Sequence, residues 1–324
     1  MAQLVKLIDY VTRYEVQPFH YPSQYIRLKQ ENWQQLLARW ELENDMLDDF
    51  TEEAVRENDE ETNEEIEEVE EKKGFFNWGF FRKKKQDEEE KVFVERTLPY
   101  GKDQLVQYFL NDLFPFQLKW ATSTITHVSF TERAHQYDRL LKGFLQRLPD
   151  IYLLMYYPIF NIQQAPVEGE IILVSPIGIE VLTVVDESYD STVYVSNERT
   201  WHLEGEGIEK KIISPMIALK RTEQIVRSVL NHHDVNIRVT KTIISEQNNF
   251  VYDTEPYQTK IVGKDDFNTW LDEKKALHSP LKNIQLKAME ALLKQCQTTS
   301  MRRPEWEVED DSYQTVGNYE PEVD

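Results

Sequence analysis

The chain has 324 residues, 40% of them hydrophobic, a formal charge of −21 and a single cysteine, Cys296. That length and apolar content suffice for one sizeable core with room for a second, smaller domain, and one thiol excludes both an intrachain disulfide and a thiolate-rich metal site. The charge is concentrated: residues 51–72 carry twelve acids against Arg56 and Lys72, residues 305–324 carry eight acids and no base, and the rest is close to neutral, so nucleic acid is neither excluded nor recommended as a partner.

The first residues, Met1 to Tyr10, lack the unbroken apolar stretch of a signal peptide. No later run approaches the roughly 18 apolar residues of a membrane span. With the single cysteine, this predicts a cytoplasmic protein.

Residues 1–47 are expected to form a helical N-terminal segment. Its centre is an amphipathic helix over 24–47, with Ile26, Trp33, Leu36, Leu37, Trp40 and Leu47 near one face. An acidic linker follows over 48–91, where like charges repel and little can be buried.

Inside it stands an aromatic–basic patch, Phe75, Phe76, Trp78, Phe80 and Phe81 followed by Arg82, Lys83, Lys84 and Lys85. Aromatic rings suit a bilayer interface and a basic cluster attracts anionic headgroups, so one reading is a peripheral membrane or partner anchor. The other is a segment that docks back on the protein, its bases balancing the flanking acids.

Further along, Leu105, Val106, Phe109, Leu110 and Leu113 predict a helix over 104–114 with Asp103 as its N-cap. A second helix is expected over 130–148, opened by a capping box from Ser129 to Glu132 and stopped by Pro149. Ile151 to Tyr157 reads as a strand covered on both faces. Residues 170–175 and 179–185 flank Pro176-Ile177-Gly178 as an antiparallel hairpin, with further strands expected over 192–195, 211–213 and 235–244. Ser214-Pro215 should open a helix to about Asn231, with Ser214 as N-cap and Pro215 at its first position, and terminal helices are expected over 265–275 and 280–295. The order of helix, three strands, helix and strand describes an α/β core with a mixed sheet. Neither a G-x-G-x-x-G nor a P-loop motif occurs, so no nucleotide cofactor is implied.

From Glu168 through Gly178-Ile179, and on through Trp201 and Ile213-Ser214-Pro215-Met216, the sequence resembles the nuclease-related domain found widely in bacteria, especially Gram-positive ones. The resemblance covers roughly residues 125–250 within an expected domain of 92–275, followed by a C-terminal helix in 276–300 and a disordered acidic tail over 301–324. It implies a restriction-endonuclease-like fold with a PD-(D/E)xK core: a mixed sheet flanked by helices, with a helical N-terminal extension. Active members of that wider fold hold a divalent metal between acids on the second and third strands, with a lysine two residues beyond the second acid. Side chains two apart on a strand share a face, so acid and lysine meet the same phosphate.

Carried onto this chain, the first acid falls on Glu170, the second on Thr183 and the lysine on Val185, while a family glutamine falls on Ala218. A hydroxyl is a poor metal ligand beside a carboxylate, and valine carries no charge. Glu180 and Asp186 have the opposite parity. The resemblance thus implies a degenerate enzyme, a noncatalytic scaffold for an unidentified protein partner. The competing expectation is a Mg²⁺-dependent DNA nuclease with a rearranged site.

Three readings of Glu168 and Glu170 stay open: a solvated carboxylate pair on an edge strand, a weak metal site using both, with Glu170 as the position the resemblance names, and residual nuclease activity with Asp186 swung in. His232-His233 should end a helix, where a histidine meets the helix dipole, and the other histidines lack metal-ligand spacing. Cys296 is expected to be packed, and no G-x-S-x-G marks a serine nucleophile.

Overall fold

The computed structural model describes residues 1–57, 97–187, 191–205 and 207–303. Most of the acidic linker, the whole aromatic–basic patch from Phe75 to Lys85 and residues 304–324 lie outside the described residues.

The N-terminal half contains β1 (Gln3–Leu7), α1 (Arg13–Val16), α2 (Tyr21–Glu57), α3 (Lys102–Trp120), β2 (His127–Val128) and α4 (Arg139–Arg147). The centre contains β3 (Leu153–Tyr156), β4 (Ile159–Ile162), β5 (Ala165–Glu168), β6 (Ile171–Ser175), β7 (Gly178–Val184), β8 (Thr192–Tyr194), β9 (Thr200–Gly205) and β10 (Ile208–Ile213). It closes with α5 (Met216–His232), β11 (Val239–Ile244), β12 (Asn249–Val251), β13 (Thr259–Val262), α6 (Lys264–Lys275), α7 (Asn283–Gln295) and β14 (Met301–Arg302). The chain divides into two compact units, one of residues 1–30 with 110–324 and one of residues 31–109.

Among the described residues, the first unit is built on a six-stranded sheet in the order β1-β3-β6-β7-β11-β13. Strands β3, β6 and β7 form an antiparallel meander, whereas β11 runs parallel to β7, β13 to β11 and β1 to β3. Helices flank both faces, α5 and α7 on one and α4 and α6 on the other. This double cover explains why β3 and β6 read as unbroken apolar runs, since every residue in each is buried. The fold is therefore a mixed α/β architecture with a mixed sheet flanked by helices.

The hairpin expected at Pro176-Ile177-Gly178 forms between β6 and β7, with Ser175 paired to Gly178. Gly178 has φ +145°, and an added Cβ would stand 2.6 Å from the Arg238 carbonyl oxygen. Only glycine permits this close approach to the chain entering β11.

Several sequence expectations require correction. The N-terminal segment opens on a strand, β1, rather than a helix. All five of its residues are buried, including Gln3 and Lys6, whose polar ends disguise a core strand. Helix α2 runs on to Glu57 into the stretch assigned to the linker, whose residues 48–57 contain no proline or glycine to stop it. Helix α3 passes through Pro115 to Trp120, with Phe114, Leu118 and Trp120 buried on either side of the proline.

The helix expected over 130–148 begins only at Arg139, where the Asp138 side chain accepts a hydrogen bond from Leu141 N at 3.0 Å. Ser129 is diverted from its capping role: its hydroxyl accepts from Val11 N at 2.8 Å and donates to Thr299 O at 2.6 Å. Pro215, not Ser214, occupies the N-cap of α5, and the Ser214 N–H is held by Arg199 O.

A second sheet, in the order β10-β9-β8-β12, belongs to the same unit. Its inner face carries Trp201, fully buried and edge-on to Phe250. In the second unit, the Trp33 and Phe109 rings meet at 5.2 Å, and the Trp40 indole donates to Pro99 O.

Candidate functional site

The hairpin β6–β7 and the strand β11 determine which side chains meet. Pairing runs from Ser175↔Gly178 to Ile171↔Leu182. One step further, Glu170 faces Thr183, and the Thr183 hydroxyl is near enough to favour the ionised Glu170 carboxyl. Helix α5 crosses above them, and its Thr222 hydroxyl accepts the Glu170 backbone N–H at 3.0 Å. The structure thus brings together the positions of the first and second acids of the sequence reading, Glu170 and Thr183, under one helix.

Burial raises the Glu170 carboxyl above the usual carboxylate range, despite the opposing influence of Thr183 and Arg221, and the nearby Glu168 pushes the same way as burial. Tyr157 shares this corner, its phenol pushed up to about 12 by burial and by the Glu170 charge. The Thr183 Oγ1 atom is itself buried and makes no hydrogen bond of good geometry among the described residues. Val185 is buried at the end of β7, with its N–H bonded to Ile244 O.

Glu168 and Glu170 do not form a solvated pair on an edge strand. Glu168 ends β5 and is exposed, whereas Glu170 precedes β6, an interior strand of the large sheet, and is half-buried. Asp186 is exposed just beyond β7.

Glu180 lies on the other face of β7, as its parity requires, where it accepts from the Thr242 hydroxyl and is ion-paired with Lys274 of α6. That pair ties α6 to the sheet and leaves Glu180 committed away from Glu170.

Sequence reading missed Glu223 and Lys241. Lys241 pairs in register with Val181 and Ile243 with Thr183, so Lys241 projects from the same sheet face as Thr183. Its Nζ lies 2.7 Å from Glu223 Oε2 of α5, while Arg227 holds Glu223 Oε1 at 2.9 Å and also bonds Val239 O. Desolvation acts to raise the Glu223 pKa, but the hydrogen bonds and charges of Lys241 and Arg227 outweigh it and hold the carboxyl below its ordinary value. The available signal was Lys241 alternating with Val239 and Ile243 on one strand face, but a lysine there reads equally as an exposed position.

The face beneath α5 therefore carries an acid at Glu170, an acid at Glu223 and a lysine at Lys241. The last two neutralise each other in a buried pair, with 11% and 7% of their side chains exposed. Among the described residues, no group of three or more His, Cys, Asp or Glu side chains is arranged to hold a metal ion. His232 and His233 end α5, with His233 in the C-cap position. Burial pushes the Cys296 thiol up to about 12, which makes it a poor nucleophile. No helix among the described residues is long and apolar enough to cross a membrane.

No family model matches the chain, and no solved structure matches it. A stretch of 45 residues, 14% of this chain, is 56% identical to a segment making up 14% of an RNA 2',3'-cyclic phosphodiesterase of Geobacillus stearothermophilus. The chain thus matches about one seventh of that relative's length.

Proposed function

We propose that this chain is a noncatalytic nuclease-related-domain protein, in which a restriction-endonuclease-like core serves as a scaffold for a protein partner. The observation that carries this reading is the chemistry of β7: Thr183 and Val185, both buried, stand where an acid and a lysine would act. The fold assignment is supported by the order α4, β3, β6, β7, α5, β11, a helix, a three-strand meander, a crossover helix and a parallel strand. Where active members of that fold place a second metal-binding acid, this chain carries the neutral Thr183 hydroxyl, a poor ligand beside the Glu170 carboxyl. The 45-residue likeness to a phosphodiesterase is too short to bring that activity to this chain.

A second reading, a Mg²⁺-dependent DNA nuclease with a rearranged site, is favoured by one observation. Glu223 and Lys241 supply an acid and a lysine on the face that carries Glu170. Against it stands their burial as a closed pair, which leaves neither free to meet a phosphate.

Purified protein incubated with Mg²⁺ or Mn²⁺ and with single- or double-stranded DNA separates the two. The scaffold reading expects no cleavage. Cleavage abolished by Glu170→Ala or Lys241→Met would replace it with the second. The scaffold role itself is tested by affinity capture with the full chain, followed by recombinant confirmation that a captured protein binds directly.

A further inference from the structure

Arg13 opens α1, and Arg303 follows β14. A parallel bridge joins Tyr10 to Thr299, so the two backbone segments lead side by side towards these arginines, three and four residues further on. Arg303 is fixed through its backbone N–H to Thr126 O at 2.8 Å. The Arg13 guanidinium carbon lies 5.1 Å from the centroid of the Trp120 ring. The Nε–H of each arginine is buried and reaches no acceptor among the described residues.

Glu15, the nearest acid in sequence to Arg13, is already committed to Lys6 and to the Thr298 hydroxyl. Burial lowers the Arg13 pKa and the Arg303 charge adds to the effect, against the opposing influence of Tyr21 and Tyr14. In a chain of charge −21, two neighbouring cations with buried, unmet donors are an anomaly. Guanidinium forks match the oxygens of a tetrahedral oxyanion, and an anion of about two charges would relieve both the repulsion and the unmet donors.

We propose that Arg13 and Arg303 together form a binding site for a phosphate group, with Trp120 backing the Arg13 guanidinium. A free phosphate ion and a phosphodiester of single-stranded nucleic acid share the chemistry that the two arginines recognise. The site is separate from the Glu170 corner and does not depend on the scaffold reading.

Isothermal titration calorimetry on the full chain, at constant ionic strength, tests it with inorganic phosphate and with a short oligothymidylate. Phosphate is expected to bind in preference to chloride and to weaken at least tenfold in Arg13→Gln and in Arg303→Gln. Arg303→Gln leaves the Trp120 contact intact and carries the test if Arg13→Gln does not fold. Oligothymidylate binding lost in the same variants would name the phosphodiester as the source, and phosphate binding alone would name the free ion. No binding over chloride, or equal binding in wild type and a folded Arg303→Gln protein, would overturn the proposal.

Discussion

Lys241 on β11 and Glu223 on α5 form an ion pair of 2.7 Å on the sheet face that also carries Thr183. The pair joins the crossover helix to the strand it leads into. It also turns an acid and a lysine on the face that carries Glu170 into internal supports. Stability and any chemistry at this face therefore depend on the same two side chains.

Removing one partner of a buried pair leaves the other charge without compensation, which costs about 3–5 kcal/mol, whereas replacing both with apolar groups is often close to neutral. Lys241→Met should accordingly lower unfolding stability by about 3 kcal/mol, towards the smaller end because Arg227 still holds Glu223. The double variant Lys241→Met/Glu223→Leu should recover most of that loss. Urea unfolding of the single and double variants measures both. A single-variant loss below about 1 kcal/mol would show that the pair is solvated.

The two acids of this face respond oppositely to pH. The Glu223 pKa is lower folded than unfolded, so its contribution is present above the unfolded value of about 4.3 and is lost as pH falls through the folded value. The Glu170 pKa is higher folded than unfolded, so its folded form takes up a proton first, and stability rises as pH falls through that folded value. At neutral pH the raised pKa of Glu170 therefore opposes folding. Glu170→Gln is expected to be more stable than wild type at pH 7, with the difference disappearing below pH of about 4. Thermal unfolding across that range is the measurement, and a Glu170→Gln protein less stable than wild type at neutral pH would contradict the direction.

The sheet was legible in the sequence where chemistry and burial agree. Strands β3, β6 and β7 announce themselves as apolar runs around a turn, and Gly178 occupies the position that only glycine can fill. What escaped was set by distant partners. Lys6 looks like a surface residue, yet its amine is buried and satisfied by Tyr10 O, Glu15 and Thr298. Ser129 looks like a helix cap, yet Val11 and Thr299 claim its hydroxyl from 118 and 170 residues away. At the candidate site, strand parity correctly sent Glu180 away from Glu170, but parity cannot say what another strand or a crossing helix will bring. The pairing of Glu223 with Lys241 was for that reason not legible.

Thr183 provides a test of the site in isolation. Its buried hydroxyl makes no hydrogen bond of good geometry, and a buried polar group left unsatisfied costs about 1–3 kcal/mol. Thr183→Val keeps the shape and removes the hydroxyl, so it should raise stability by about 1 kcal/mol. A loss of stability would instead establish a working hydrogen bond between Thr183 and Glu170 in solution. The Glu170 pKa, followed by NMR in the same variant, should then rise.

Gln117 tests how the outer edge of the large sheet is closed. Gln3 N donates to Tyr152 O on the β3 side, so the next amide, Leu4 N, points outward from β1. There the Gln117 side chain of α3 takes the place of a further strand, accepting from Leu4 N at 2.7 Å and donating to Ala2 O at 2.6 Å. It also donates to the Tyr25 hydroxyl at 2.7 Å. Gln117→Leu would strand these groups in the interior and should cost about 3 kcal/mol. Because β1 keeps its pairing with β3, amide hydrogen exchange should accelerate at Leu4 well before it does at Leu154 on β3. Equal acceleration at both residues would mean that Gln117 secures the core as a whole rather than the edge of β1.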